Sequence, residues 1–387
     1  MKQYKITHSK RRFIKTGMIG AASLFCGFIP DIYGSSKSQV SSLRLTKDDL
    51  WKWSKEGMFY ELSPRGVTCL ICPNECTIKE GDTGDCRSRV NYKGKLYSIA
   101  YGNPCAVHID PVEKKPLYHF LPGSKSYSIA TAGCNLACLN CQNWSISQSS
   151  PRETRNYDLM PDRLVAESVK NNCRSIAYTY SEPVTFYEYT YDSSKLARSR
   201  GIKNIIVSAG YINEKPLLEL AKYIDAANID LKSFKDSTYL KLNGGRLQPV
   251  LDTLLTLKRA GVWLEITNLL VPGWTDDLNM ITDMCKWLYD NGLSETPLHF
   301  SRFYPQYKLT QLPATPVNTL IKARETALKE GLKYVYIGNA PGSGAENTIC
   351  PHCNKIVVER KGYTIISNNI AEKKCKFCNH PIAGVWD

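Results

Sequence analysis

Strand-like and helix-like segments alternate regularly from about residue 125 to residue 337. Short runs rich in β-branched residues occur at 127–131, 175–179, 204–208, 227–231, 263–267, 298–300 and 334–337. Amphipathic stretches lie between them, at 161–172, 184–200, 247–260, 276–291 and 315–330. A strand and a helix that recur every ~25 to 40 residues predict βα units around a parallel sheet. Six or seven units favour a barrel, complete or partial, over an open doubly wound sheet, so the predicted fold class is α/β.

Thiol and charged side chains follow several of these strands. The residues are Cys134, Cys138 and Cys141 after the first strand, Glu182 after the second, Asp230 and Lys232 at the end of the fourth, and His299 in the sixth. Singly, each polar residue has an ordinary structural explanation, such as a helix start, a surface ion pair or a core histidine. In parallel barrels, however, reactive groups gather at the carboxyl ends of the strands. The shared placement therefore predicts one site that combines three thiolates with these polar groups.

Eleven of the fifteen cysteines fall into three spaced groups. Cys69, Cys72, Cys76 and Cys86 form C-x2-C-x3-C-x9-C, Cys134, Cys138 and Cys141 form C-x3-C-x2-C, and Cys350, Cys353, Cys375 and Cys378 form C-x2-C-x21-C-x2-C. Disulfides are the alternative for an exported chain. Close C-x2-C pairs instead direct two thiolates at one soft cation. We therefore interpret these eleven cysteines as metal ligands.

The two outer groups have four cysteines each. The C-terminal group resembles a zinc ribbon, because two Cys-x2-Cys turns flank a predicted β-hairpin, and four thiolates close the coordination sphere of a structural Zn²⁺. A rubredoxin-like iron site is the alternative. For the N-terminal group, a structural zinc and an auxiliary iron–sulfur cluster are both chemically reasonable.

The chain divides into four predicted regions. Residues 1–40 hold a twin-arginine-like signal and linker, since SKRRFIK at 9–15 precedes a short apolar stretch; the alternative is a basic tail. An N-terminal four-cysteine, β-rich module follows at 41–124, the core barrel at 125–342 and the zinc-ribbon-like module at 343–387. The net charge is +14, but no basic stripe interleaved with aromatic residues is present, so nucleic acid is not a predicted partner.

The central cysteine spacing, placed after the first strand of a partial (β/α)6 barrel, resembles the radical SAM superfamily. More specific motifs resemble the radical SAM enzyme of the AmmeMemoRadiSam system, which is related to pyruvate formate-lyase activating enzymes. These motifs are YSIAYG (97–102), HIDPVEKKPLYHFLPG (108–123), CQNW (141–144), YTYSEP (178–183), NIDLK (228–232), LHFSRF (298–303) and YIGN (336–339). The resemblance runs from about residue 60 to 384.

The resemblance implies a role for each residue of the predicted site. Cys134, Cys138 and Cys141 would hold a 4Fe–4S cluster whose fourth iron binds S-adenosylmethionine (SAM). Glu182 would meet the amino group of SAM, while Asp230, Lys232 and His299 would line its carboxylate and ribose side. The chain departs from relatives at three places: Asn140 replaces the aromatic residue before the third cysteine, SAGY (208–211) replaces T-N-G-Y, and YSEP (180–183) replaces Tyr-Asn-Glu-Pro. Trp144 and Tyr211 are the candidates for a substitute stacking face.

The leading hypothesis is therefore an enzyme that cleaves SAM reductively to abstract hydrogen from an unidentified substrate. Activation of a glycyl radical enzyme is a narrower alternative, and a non-enzymatic iron–sulfur and zinc protein is the alternative from another class. The expected partners are a reductant such as flavodoxin or ferredoxin and other proteins of the AmmeMemoRadiSam system. The signal-like N-terminus predicts export or membrane tethering, whereas SAM and low-potential electrons favour the cytoplasm.

Overall fold

The structure is a computed structural model that describes residues 50–387, all within one compact unit, Leu45–Asp387. The twin-arginine-like signal at 9–15 lies outside the described residues, so it stays a prediction. Within residues 50–387, no helix is both long enough and apolar enough to cross a membrane.

Nineteen strands occur in the described part of the chain. They are β1 Lys55–Glu56, β2 Tyr60–Ser63, β3 Gly66–Cys69, β4 Thr77–Ile78, β5 Arg89–Tyr92, β6 Lys95–Ser98, β7 Ala106–Pro111, β8 Lys125–Ala130, β9 Ser175–Tyr178, β10 Lys203–Ser208, β11 Ala226–Asp230, β12 Trp263–Leu270, β13 Leu298–Arg302, β14 Val335–Gly338, β15 Thr348–Ile349, β16 Ile356–Lys361, β17 Thr364–Asn368, β18 Ile370–Ala371 and β19 Lys374–Cys375.

Eight α-helices accompany them in residues 50–387. They are α1 Trp144–Ser147, α2 Pro161–Lys170, α3 Tyr187–Ser199, α4 Glu214–Ala221, α5 Asp236–Thr238, α6 Gln248–Arg259, α7 Leu278–Asp290 and α8 Val317–Lys329. Short 3₁₀ turns occur at Val112–Lys114, Pro151–Glu153 and Pro183–Phe186, and a π-helical turn at Tyr239–Asn243. Pro161 at the first position of α2 and Asp277, whose carboxylate caps α7, fix the starts of two helices.

The main sheet has eight strands in the order β14-β13-β12-β11-β10-β9-β8-β7. Strands β8 to β14 pair as parallel neighbours in chain order, while β7 is antiparallel to β8. All four residues of β9 are buried, as expected for a parallel strand covered on both faces. The carboxyl ends of the seven parallel strands meet at one edge of the sheet, where the loops that bear the predicted site begin.

The seven strands and five helices predicted from the repeat are confirmed, with boundaries shifted by only a few residues. The helix α4 and the strand β7 were not predicted, and β7 comes from the region assigned to the N-terminal module but joins the main sheet. Only one of the six residues of β7 is buried, so the strand has no continuous apolar run to mark it. Closure of the sheet into a partial (β/α)6 barrel, and the four domain boundaries, stay predictions.

Smaller sheets flank the main one. The N-terminal cysteines lie on and around two three-stranded sheets, β1-β6-β5 and β2-β3-β4. At the C-terminus, β16 and β17 form the antiparallel hairpin that the sequence predicts between its two cysteine pairs. Arg360 of this hairpin is buried and donates to the Tyr118 carbonyl oxygen at 2.6 Å. This hydrogen bond attaches the C-terminal hairpin to the segment that connects β7 with β8.

Candidate active site

The central cysteines lie on a loop that begins directly after β8. Gly133 turns the chain with φ of +106°, and a Cβ at this position would lie 2.5 Å from the Cys86 carbonyl oxygen. Only glycine therefore fits there without a backbone shift. The segment after β11 supports the loop from the other side, because the amides of Ala137 and Leu139 donate to the carbonyl oxygens of Asn243 and Leu242 at 2.8 Å.

The three thiols are largely shielded from water. Burial raises the pKa of Cys134 well above its usual value, and the nearby Glu182, Cys138 and Cys141 raise it further. Burial likewise raises the pKa of Cys141, while the Lys232 ammonium opposes the shift. Thiols lose their protons when they bind a metal, so cationic iron would compensate the negative charge of these buried thiolates.

Glu182 occupies the turn after β9 and is buried. Its Oε1 accepts from Ser208 Oγ at 2.7 Å and from the Val184 amide at 3.2 Å, while Oε2 accepts from the Ala209 amide at 2.8 Å. Burial raises the pKa of Glu182, and these three donors together with Lys232 oppose that effect. A carboxylate offers about four acceptor sites, and among the described residues only the Ala209 amide donates to Oε2.

Asp230 and Lys232 come from the carboxyl end of β11. Lys232 Nζ lies 3.0 Å from Asp230 Oδ2. Burial alone would lower the pKa of Lys232, but the charges of Asp230 and Cys138 raise it well above its usual value. The structure thus places Lys232 within electrostatic range of Cys138, Cys141 and Glu182. These residues form one polar site around the central thiols.

His299 belongs to a different network. Its Nε2 lies 2.7 Å from Glu265 Oε2, and its ring packs on Tyr336 and edge-on against Tyr118. Glu265 also accepts from the amides of Tyr118 and His119. The parallel register aligns His299 of β13 with Thr267 of β12, and Thr267 with Asp230 of β11, so His299 lies at the same level of the sheet as Asp230. Its predicted contact with SAM stays a prediction.

The positions that depart from relatives have distinct surroundings. Ser208 supplies the hydroxyl that holds Glu182. Asn140 carries a buried Oδ1 that accepts no hydrogen bond from the described residues. Trp144 stacks on Tyr307 with a centroid separation of 5.3 Å, whereas Tyr211 is buried beside Gly245. Of the two candidate stacking residues, Trp144 is the more exposed.

Asn243 is a site residue that the sequence analysis missed. Its Nδ2 donates to Cys138 Sγ at 3.2 Å, and its buried Oδ1 accepts no hydrogen bond from the described residues. The LNGG stretch at 242–245 offered a signal, since paired glycines often mark a close backbone approach. A Cβ on Gly244 would lie 3.3 Å from the Ala137 Cβ, and one on Gly245 would lie 2.6 Å from Leu136 Cδ2.

The two outer cysteine groups differ in spacing. In the C-terminal group, Cys350 Sγ and Cys378 Sγ are 3.6 Å apart, and Cys353 Sγ and Cys375 Sγ are 3.7 Å apart. All four sulfurs lie within 4.8 Å of one another. The N-terminal cysteines, Cys69, Cys72, Cys76 and Cys86, instead line a cavity of about 20 Å³.

Comparison with known proteins identifies the fold. The sequence profile of the Radical SAM superfamily matches residues 128–285, which include the three central cysteines and the residues around Glu182 and Lys232. An uncharacterized protein of Methanocaldococcus jannaschii is 46% identical over 331 residues, which are 85% of this chain and 98% of that protein. The chain belongs to the radical SAM superfamily.

This radical SAM protein is also similar to activating enzymes. The pyruvate formate-lyase-activating enzyme of Staphylococcus epidermidis is 28% identical over 170 residues, 40% of this chain and 65% of that enzyme. A crystallised domain of such an enzyme from Bacteroides vulgatus gives a TM-score of 0.37 at 15% identity, over 43% of this chain and 99% of that domain.

Membership in the superfamily makes the chain an enzyme and implies a 4Fe–4S cluster and SAM. The site residues fit both groups. Three shielded thiols with a sulfur-directed amide donor suit an iron–sulfur cluster, and the Glu182 carboxylate beside the Asp230–Lys232 pair suits a zwitterionic ligand.

Proposed function

We propose that this chain is a radical SAM enzyme in which Cys134, Cys138 and Cys141 hold the 4Fe–4S cluster. The observation that carries the proposal is the convergence of Glu182 and Lys232 on the three thiols at the carboxyl edge of a parallel sheet. Three thiolates leave one iron without a protein ligand, as in catalytic metal sites that keep an open position. When bound, the reduced cluster would supply one electron that cleaves SAM to methionine and a 5′-deoxyadenosyl radical. This radical would abstract hydrogen from the substrate.

The residues of the chain would bind, orient and shield. Glu182 would accept a hydrogen bond from the ammonium group of SAM through Oε2. Lys232, held by Asp230, would supply positive charge beside the sulfurs and the SAM carboxylate. Cys138 is buried and Cys134 and Cys141 are partly buried, which limits the access of water to the cluster side of the site.

The activity test uses the full chain. Anaerobically reconstituted and dithionite-reduced protein is expected to convert SAM to methionine and 5′-deoxyadenosine, measured by mass spectrometry. Cys134→Ala should abolish this conversion, because the loop then has two ligands. The matched control Cys173→Ala removes a buried thiol outside the three groups and should retain activity. Equal product from wild type and Cys134→Ala would contradict the proposal.

Asn243 should tune the reduction potential of this cluster. Hydrogen bonds to cluster sulfurs offset the negative charge of the reduced state and so raise the potential. A net hydrogen-bond energy of about 0.5 to 1.5 kcal/mol corresponds to roughly 20 to 65 mV for one electron. We expect Asn243→Ala to lower the midpoint potential by that amount in a redox titration followed by electron paramagnetic resonance (EPR). Asn291→Ala, which removes a donor to Trp287 on α7, is the control, and an unchanged potential in Asn243→Ala would show that the bond does not tune the cluster.

Three finer assignments belong to the same proposal. The sulfur separations of 3.6 and 3.7 Å at the C-terminus support a structural zinc, because 2.3 Å Zn–S bonds in a tetrahedron separate the sulfurs by about 3.8 Å. The motifs between 97 and 339 support membership in the AmmeMemoRadiSam system and association with its proteins. The low-potential electron would come from a donor such as flavodoxin or ferredoxin.

A further inference from the structure

The four N-terminal cysteines enclose a site of their own. Cys69 ends β3, Cys72 and Cys76 lie in the turn before β4, and Cys86 lies before β5. All four line the same cavity of about 20 Å³. Cys69 and Cys86 are buried, whereas Cys72 and Cys76 are half-buried. Four thiols from three neighbouring segments therefore face one small space.

The spacing of these thiols differs from that of a single-ion site. Within residues 50–387, the C-terminal cysteines alone bring three or more candidate ligand atoms within 4.8 Å of one another. The N-terminal thiols, which line one cavity, are spaced more widely than this, and so are the central thiols. A cubane cluster places irons and sulfides between its four thiolate ligands, so it requires a wider arrangement than one zinc ion.

The cavity wall carries polar groups next to the thiols. Arg89 is 2% exposed and lines the cavity. Its guanidinium donates to Glu188 Oε1 and Oε2, both at 2.9 Å. Ser88 Oγ donates to Cys86 Sγ at 3.3 Å. A hydrogen bond to a ligand sulfur is a feature that stabilises an anionic iron–sulfur cluster.

The same cavity adjoins the loop of the central thiols. Asn135, the residue after Cys134, lines it, and Asn74 Nδ2 donates to the Asn135 carbonyl oxygen at 3.0 Å. The Cys86 carbonyl oxygen packs against Gly133 so closely that a Cβ would lie 2.5 Å away. The backbone segments that carry the two groups of thiols are thus in direct contact.

We infer that Cys69, Cys72, Cys76 and Cys86 hold a second iron–sulfur cluster, a 4Fe–4S centre packed against the loop that carries Cys134. This cluster goes beyond the proposed function, because its four ligands include none of the central thiols. Of the two alternatives that the sequence leaves open for this group, a structural zinc and an auxiliary iron–sulfur cluster, the inference selects the cluster.

Metal content of the full chain, expressed and isolated anaerobically, tests the inference. We expect about eight iron and about eight acid-labile sulfide per wild-type chain, from two cubane clusters, with about one zinc in the C-terminal group. The triple variant Cys134→Ala/Cys138→Ala/Cys141→Ala should lose half of the iron and keep the broad visible absorption of a cluster. Cys72→Ser/Cys76→Ser should lose the other half. The EPR signal of reduced wild type should be broadened by coupling between the clusters, and that of either variant should not.

Two outcomes would overturn the second cluster. One is a colourless triple variant with about two zinc per chain; the other is a Cys72→Ser/Cys76→Ser variant that keeps all of the wild-type iron. Should the triple variant be insoluble, wild type with about four iron and about two zinc overturns it as well. Wild type with two clusters but no cleavage of SAM would contradict the proposed function alone.

Discussion

Arg89→Leu should lower the free energy of unfolding by about 3 to 5 kcal/mol, because it leaves the buried Glu188 carboxylate without its counter-charge. Arg89 Nη1 and Nη2 donate to Glu188 Oε1 and Oε2, both at 2.9 Å, and both side chains are at most 2% exposed. This bidentate pair joins β5 to α3 and so holds the N-terminal sheets on the main body. The measurement is the thermal midpoint of the metal-loaded protein, which should fall by several degrees.

The double variant Arg89→Leu/Glu188→Leu separates charge from packing. Removing both partners leaves no uncompensated buried charge, so its midpoint should lie above that of Arg89→Leu. The matched control is Lys95→Ala, which breaks an exposed ion pair with Glu56 and should leave the midpoint unchanged. If the double variant were no more stable than Arg89→Leu, the loss would come from packing.

Glu182→Gln should weaken SAM binding by about 10- to 150-fold, the equivalent of a charged hydrogen bond of about 1.5 to 3 kcal/mol. The amide group keeps the side-chain size but removes the negative charge. The NH2 group of the glutamine must also face either the Ala209 amide or the Ser208 hydroxyl, so that two donors meet where the carboxylate accepted a hydrogen bond. The measurement is the dissociation constant of SAM for the cluster-loaded protein.

Ser208→Ala is the matched control for this prediction. It removes one donor to Glu182 Oε1 and leaves the carboxylate charge and the Oε2 site in place. Its effect on SAM binding should therefore be smaller than that of Glu182→Gln. Cluster content of both variants, read from the visible spectrum, should match wild type. Unchanged SAM affinity in Glu182→Gln would show that another group receives the ammonium.

Local sequence patterns were sufficient to predict much of the architecture. The seven parallel strands are short runs rich in β-branched or other apolar residues, such as the fully buried Ser175–Tyr178, and the five helices have clear apolar faces, so period and burial agree along the sequence. The sequence analysis missed β7 because an edge strand with only one buried residue resembles a loop. The sequence analysis missed Asn243 because its role depends on a 3.2 Å hydrogen bond to the sulfur of Cys138, more than a hundred positions earlier in the chain.

The sequence by itself determined the βα repeat, the three cysteine groups and the residues that end the strands, because spacing and periodicity are local properties. The tertiary structure alone decided which groups face each other. It placed Lys232 and Glu182 beside the central thiols and joined His299 to Glu265 in a separate network. It also set the sulfur separations that distinguish a zinc-like group from a wider one. Such distances depend on strand register and loop packing between distant segments, which no local pattern records.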